Sequence, residues 1–282
     1  MRKLLAALLL VTACGSGAGQ GSLPLPSPPT EALSKWSNFP AHANPRPIVS
    51  FGETIEHIPQ AGFPNGDRKM AWGCNMFVFA SGVKPSTDAP NMAIVGVASY
   101  PGISSARAYL ELMAARSANA ASSGGCQTLS PFVISEVRWG TAGFPTDRGM
   151  VTMSAWLFDV PEINAFIGHS AVDPSAYWGG GVSTEGRGGR ISWDGRTLQV
   201  GVGNTGPGPC EADYTAAAAE SDTAVAVALK RIPHSSPGQA VACDLVLRVS
   251  YISVALKAPL DNRVLVDEQG NPGMVCPEDG AC

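Results

Sequence analysis

Met150-Val151-Thr152-Met153-Ser154-Ala155-Trp156-Leu157-Phe158-Asp159-Val160 decides the fold class. In an extended chain Val151, Met153, Ala155 and Leu157 point one way, and Thr152, Ser154, Trp156 and Phe158 the other. The stretch therefore reads as a long strand with apolar groups on both faces, which has to be covered. Working outward, Trp72 to Ala80, Met92 to Ser99 and Phe132 to Trp139 read as further strands. One helix is expected among them. After the turn signal Pro101-Gly102, Ser104 can cap a segment that places Ala106, Tyr109, Leu110 and Met113 on one face. Arg107, Glu111 and Arg116 point away from that face, and Gly124-Gly125 ends the region. A mixed sheet with one covering helix is the expectation for this part.

From about Ile191 to Cys276 the pattern is all β. Leu198, Val200 and Val202 alternate with polar or small residues, as do Val225, Val227 and Leu229, and Ile252, Val254 and Leu256. Between Leu245, Leu247, Val249, Tyr251 and then Ile252 the apolar phase slips by one, which predicts a bulge or bend. Turn signals at Asp194-Gly195, Gly206 to Pro209, Ser236-Pro237-Gly238, Asp261-Asn262 and Gly270 to Gly273 separate the strands. The spacing describes a small β-sandwich or partial barrel, so the whole chain is expected to be α+β and mainly β.

This stretch also carries a family resemblance. Trp193-Asp194-Gly195-Arg196-Thr197-Leu198, Pro209-Cys210-Glu211-Ala212-Asp213-Tyr214, Glu220-Ser221-Asp222-Thr223-Ala224-Val225, Cys243-Asp244 and Pro259-Leu260-Asp261-Asn262-Arg263-Val264-Leu265-Val266-Asp267 are its motifs. They resemble a module of uncharacterised actinobacterial envelope lipoproteins and secreted proteins, over residues 191–275 and weakly over Asp173 to Trp178. The resemblance implies an extracellular β module with one internal disulfide, and no activity.

At the start of the chain a basic pair, Arg2 and Lys3, precedes eight apolar residues, Leu4 to Val11, and then Thr12-Ala13-Cys14. Eight is far below the roughly 20 residues a membrane span needs. Small residues before a thiol instead fit a bacterial lipobox, with cleavage after Ala13 and acylation (palmitate) of Cys14. The expected organisation is a signal peptide over 1–13, a lipidated Pro/Gly/Ser-rich tether over 14–45, an α+β domain over 46–180 and a β-sandwich-like module over 190–282. The address is the outer face of the bacterial cytoplasmic membrane.

Seven cysteines leave six once Cys14 is assigned to lipid. An even remainder in an oxidising compartment reads as disulfides. Local closure within each part suggests Cys74 with Cys126, Cys210 with Cys243, and Cys276 with Cys282.

Charged residues make up 15% of the chain, with 19 basic against 23 acidic, so no basic face for nucleic acid is expected. Gly168-His169-Ser170-Ala171-Val172 resembles a nucleophile elbow, but its last position is Val172, and Pro174 follows closely. A triad on Ser170 would draw its base from His42, His57 or His234, each in a loop-like context. The histidines form no ligand pair, and Asp261, Asp267, Glu268 and Asn271 read as solvated turn polarity rather than a calcium loop. The run Gly179-Gly180-Gly181 to Gly188-Gly189 lacks a Gly-Lys-Ser/Thr ending and reads as a flexible junction. No metal, cofactor or catalytic residue is expected. Of six tryptophans, Trp178 beside three glycines is expected to be the least buried and to offer an indole face to a ligand such as cell-wall glycan. The sequence thus suggests a non-enzymatic envelope protein that binds a glycan or a protein partner. The alternative is an envelope serine hydrolase using Ser170.

Overall fold

The structure, a computed structural model, describes residues 23–120, 126–203, 205–235, 242–243 and 248–280. The first part of the chain runs α1 (Thr30–Ser34), β1 (Ile48–Ser50), β2 (Thr54–His57), α2 (Gly66–Gly73), β3 (Phe77–Phe79), β4 (Ala93–Val95) and β5 (Ala98–Tyr100). It continues with α3 (Ser105–Ala120), β6 (Phe132–Ile134), β7 (Glu136–Thr146), β8 (Gly149–Val160), β9 (Ala165–Ser170) and β10 (Tyr177–Val182). The second part contains β11 (Gly189–Ile191), β12 (Thr197–Gly203), β13 (Ala212–Glu220), β14 (Ala224–Pro233), β15 (Val249–Ala255), β16 (Val264–Val266) and β17 (Val275–Pro277). With 42% strand and 13% helix the protein is α+β and mainly β.

β8, the stretch that decided the fold class, organises an eight-stranded sheet. One of its edges pairs with β7 from Gly149 to Asp159. The other edge is divided: Ala155 to Val160 pair with β9, and Met153 meets Val95 of β4. β9 also carries β2, while β1 joins β7 to β10. The expected strand Met92 to Ser99 is a hairpin, β4 and β5, reversing through Gly96 at φ +57°. Phe132 to Trp139 divides at Ser135, so that β6 pairs with β3 and β7 enters the large sheet.

Trp72 to Ala80 was expected as one strand, but its first residues close the helix α2. The Asn65 side chain accepts the Arg68 N–H at 2.9 Å and starts that helix, and Ala71 and Trp72 face inward. Ser104 caps α3 as its spacing predicts, accepting the Arg107 N–H at 3.2 Å. The inward face is rotated from the expected one: Tyr109 packs on Phe79 and Phe158 as expected, but Ser105, Ala108 and Leu112 are the buried positions and Leu110 is 68% exposed. Ala108 and Leu112 pack on Phe158, Val160 and Ile167, so α3 covers the sheet at the β8–β9 edge. The expected helix stop, Gly124-Gly125, lies outside the described residues.

In the second part β15-β12-β11-β17 form one sheet and β13-β14-β16 another. Leu198, Val200, Val254 and Leu256 of the first meet Val225, Val227 and Leu265 of the second, which is the expected sandwich. The β12–β15 register is unbroken from Thr197↔Ala255 to Gly203↔Val249, so there is no bulge between Tyr251 and Ile252. Ile252 and Val254 face the core, while Val249 and Tyr251 turn outward. Leu245, Leu247 and the turn Ser236-Pro237-Gly238 lie outside the described residues.

The expected tether is shorter than 14–45. Ala32, Trp36, Phe39 and Ala41 are buried against Val49 of β1 and Ala224, Ala226, Val264 and Val266 of the sandwich. The chain before the first strand is therefore a wedge in a core shared by both parts. The glycine-rich junction is tightly placed at its far end, whereas Gly179, Gly180 and Gly181 have open space around them. A Cβ at Gly186 would sit 2.5 Å from the Asn271 carbonyl oxygen and one at Gly188 2.5 Å from that of Met274, so side chains are excluded by close backbone approach.

Disulfides join Cys74 to Cys126 and Cys210 to Cys243. Cys276 is disulfide-bonded too, and its expected partner Cys282 lies outside the described residues, as do Cys14 and the leader.

Candidate functional site

Ser170 ends β9 and is 1% exposed. Its N–H donates to the Glu53 carbonyl at 2.8 Å, and the Ala171 N–H donates to Ser154, so the chain stays extended through the would-be elbow. No helix follows; Asp173 caps a single 3₁₀ turn, Pro174–Ala176. Gly168 is explained by packing, since a Cβ there would stand 2.8 Å from the Ile55 side chain and 3.2 Å from that of Leu157. The Ser170 hydroxyl pairs with the Tyr177 phenol at 2.6 Å and accepts the Val172 N–H at 3.3 Å. Burial first of all holds the Tyr177 phenol well above its ordinary pKa.

The histidine beside it, His169, is buried and was not among the expected bases. Its Nδ1 donates to the Ser170 carbonyl at 2.7 Å, because a carbonyl oxygen can only accept. Nε2 lies 3.7 Å from Glu111 Oε2. Burial, the largest influence, holds this imidazole below its ordinary pKa against the opposing pull of the Ser170 carbonyl and Glu111. His42 is exposed, His57 stacks on Phe166, and His234 faces Asp213 at 3.3 Å. Among the described residues no imidazole is hydrogen-bonded to the Ser170 hydroxyl.

Around His169 runs a polar chain at the α3–β9 contact. Arg107 donates to Glu111 at 2.8 Å and to Asp173 at 3.0 Å. Nearby Glu53 has one carboxyl oxygen, Oε1, that is buried without a hydrogen-bond partner among the described residues. Burial and then the Glu111 charge raise the Glu53 pKa, with Arg107 acting in the opposite direction.

The other expected residues take structural roles. Trp178 is half-buried, stacked on Trp36 at 6.1 Å and edge-on to Phe39 at 5.1 Å; Trp193, 80% exposed, is the open indole instead. Asp267 uses its carboxylate to accept the Gln269 and Asn271 N–H groups at 2.9 Å, which closes a turn. Among the described residues no three His, Cys, Asp or Glu side chains are placed to hold a metal ion.

A cleft of about 550 Å³ lies elsewhere, and no sequence motif announced it. The two-residue tip of the β7–β8 hairpin, Asp147-Arg148, inserts between the His42 to Ile48 segment, the β4–β5 hairpin and Asn262 of the sandwich. Val95, Val97, Ala98 and Val151 line one side. On the other side Arg46 grips Asp147 with both nitrogens, at 2.5 and 3.3 Å, and its Nε donates to the Asn262 carbonyl at 3.0 Å. Asp147 is 2% exposed and its N–H donates to the Val49 carbonyl at 2.9 Å. Arg148 Nη2 donates to the Arg263 carbonyl at 3.0 Å, and its Nε lies 3.6 Å from Asp147. Burial lowers the Arg148 pKa to about 10, against the opposing pull of Asp147, so it stays a cation near neutral pH. The arrangement can hold a ligand; it presents no nucleophile and base in contact.

No protein-family model, curated protein or solved structure matches this chain.

Proposed function

We propose that the protein is a lipid-anchored, extracytoplasmic binding protein of the bacterial envelope, non-enzymatic, with the Arg46/Arg148 cleft as its ligand seat. The observation that carries this reading is the cleft itself, mostly apolar with a few charged groups, and assembled from segments that only the complete fold brings together. Two disulfides support an oxidising compartment. The lipobox ending at Cys14 supports an acylated N-terminus, and among the described residues no helix is long and apolar enough to cross a membrane. A hydrolase on Ser170 draws no support from a hydroxyl held by Tyr177 and lacking an imidazole.

The test uses the full chain, purified in detergent, in a thermal-shift screen of small molecules against the wild type and Ala98→Trp, which fills the cleft. Ligands that stabilise the wild type and not the variant are expected. A ligand set blind to Ala98→Trp sinks the cleft as the seat. N-terminal mass spectrometry tests the anchor separately, with an unacylated mature terminus as the outcome that overturns it.

A further inference from the structure

Resting on the cleft as a ligand seat, we infer that it takes a small monocarboxylate with an apolar body, the carboxylate on Arg148 and the body along Val95, Val97 and Val151. The cleft holds two guanidinium groups and one buried carboxylate. Arg46 uses four of its five N–H donors within the protein: Nε to Asn262, Nη1 to the Pro47 carbonyl and Asp147, Nη2 to Asp147. Asp147 meets Arg46 through both of its carboxylate oxygens. Arg148 gives one nitrogen to the Arg263 carbonyl and stands 3.6 Å from Asp147, beyond a hydrogen bond; its Nη1 has no protein partner among the described residues.

A partly desolvated cation with unspent donors favours an oxygen anion, and the planar guanidinium matches a carboxylate in particular. Arg148 is the cation most open to a guest, and with Asp147 and Asp261 both close to it a guest of one negative charge is favoured over one of higher charge. Asp261, which lies close enough to act on Arg148 electrostatically, opposes any further anion, so a phosphate dianion is disfavoured. The apolar wall sets the rest of the guest. Val97 at the hairpin tip is fully exposed, and Val95 and Val151 are half-buried. Covering these groups returns roughly 25 cal/mol per Å² of apolar surface removed from water. An aliphatic acid and the C-terminus of an apolar peptide share this chemistry.

Isothermal titration of the full chain with octanoate, octanol, octylamine, inorganic phosphate, and an apolar tripeptide with free or amidated C-terminus tests it. Octanoate or the free-acid peptide is expected to bind at one site, and whichever is tighter identifies the source. Octanol, the amide, octylamine and phosphate are expected to bind at least tenfold more weakly. Arg148→Gln should weaken the acid about tenfold or more, the effect of losing one charged hydrogen bond, and leave octanol unchanged. Val97→Asp, on a fully exposed residue that cannot disturb the core, should weaken the acid several-fold and favour octylamine. Octanol or the amide binding as tightly as the acid overturns the carboxylate assignment and leaves the cleft as a seat. Phosphate binding more tightly than either acid overturns the single-charge argument. Binding of none of the six overturns this inference, while the Ala98→Trp screen still decides the seat.

Discussion

Glu220 and Arg263, 43 residues apart, close a buried ion pair at 2.9 Å between the end of β13 and the start of β16. Arg263 also donates to the carbonyls of Ser221, Ala258 and Pro259, and Glu220 accepts the N–H groups of Lys257 and Ala258. Two turns of the sandwich are tied by one pair. Removing one partner of a buried pair leaves the other uncompensated, so Arg263→Ala should destabilise by about 3–5 kcal/mol in urea unfolding.

The same pair gives a pH dependence. Burial alone would raise the Glu220 pKa; the Lys257 N–H and Arg263 outweigh it, and the net direction is down. A carboxyl lowered in the folded state contributes stability above its unfolded value near 4.5, and that contribution is lost as pH falls through the folded value. Glu220→Gln should therefore be less stable than wild type at pH 7, with the difference shrinking in acid. A constant difference from pH 7 to pH 3 would refute the linkage.

Glu53 has the opposite sign. Its pKa is raised, chiefly by burial and then by Glu111, so the folded state prefers the protonated acid and is penalised as pH rises above 4.5. Glu53→Gln, which keeps the shape and removes the charge, should raise the Tm at neutral pH and change little near pH 4. A variant less stable at pH 7 would mean that the ionised carboxylate has a partner worth more than its burial costs.

Much of this architecture was legible because strand alternation is local. β8, β12 and β14 show it directly, and the Ser104 cap marks the start of α3. Phase and context were less legible. Leu110 and Leu112 are both apolar, so a helical period fits either inward face, and only packing on Phe158 and Ile167 selects Leu112. Trp72 suits a strand or a short helix equally, and the Asn65 cap tips the balance. Trp36 and Phe39 sit among serines, asparagines and prolines, where apolar residues look incidental; their burial depends on Ala224 and Val264, nearly 190 residues or more away. The cleft was illegible for the same reason. Arg46, Val97, Arg148 and Asn262 form no pattern along the chain, and an isolated arginine carries no signal of what it will face.

The Cys74–Cys126 and Cys210–Cys243 disulfides close long loops, with sequence separations of 52 and 33. In the chain-entropy account such loops constrain the unfolded state by about 4 kcal/mol each, slightly more for the longer. Replacing Cys74 and Cys126 by Ala together should lower unfolding free energy by about that amount, and the Cys210/Cys243 pair somewhat less. Urea titrations of the two double variants check the order. Non-reducing peptide mapping that joins Cys74 or Cys126 to a cysteine beyond Gly189 would refute the pairing itself.

Ser170 and Tyr177 yield the last prediction, because their 2.6 Å hydrogen bond makes a structural role and a catalytic role experimentally separable. A buried hydroxyl that loses its partner bears a desolvation cost of about 1–3 kcal/mol. Ser170→Ala strands the Tyr177 hydroxyl and removes the acceptor of the Val172 N–H, whereas Tyr177→Phe leaves the Ser170 hydroxyl only that N–H, so both single variants should be destabilised by roughly that amount, Ser170→Ala the more. The double variant removes both groups and should recover part of the loss, giving a favourable coupling in the cycle. A nucleophile would behave differently: it would react with a fluorophosphonate in the folded wild type. No stoichiometric labelling at Ser170 is expected, since activation needs a base within hydrogen-bond reach and His169 directs its Nδ1 to a main-chain carbonyl. Labelling that disappears in Ser170→Ala, together with additive stabilities in the cycle, would reverse the assignment and make this serine a reactive centre.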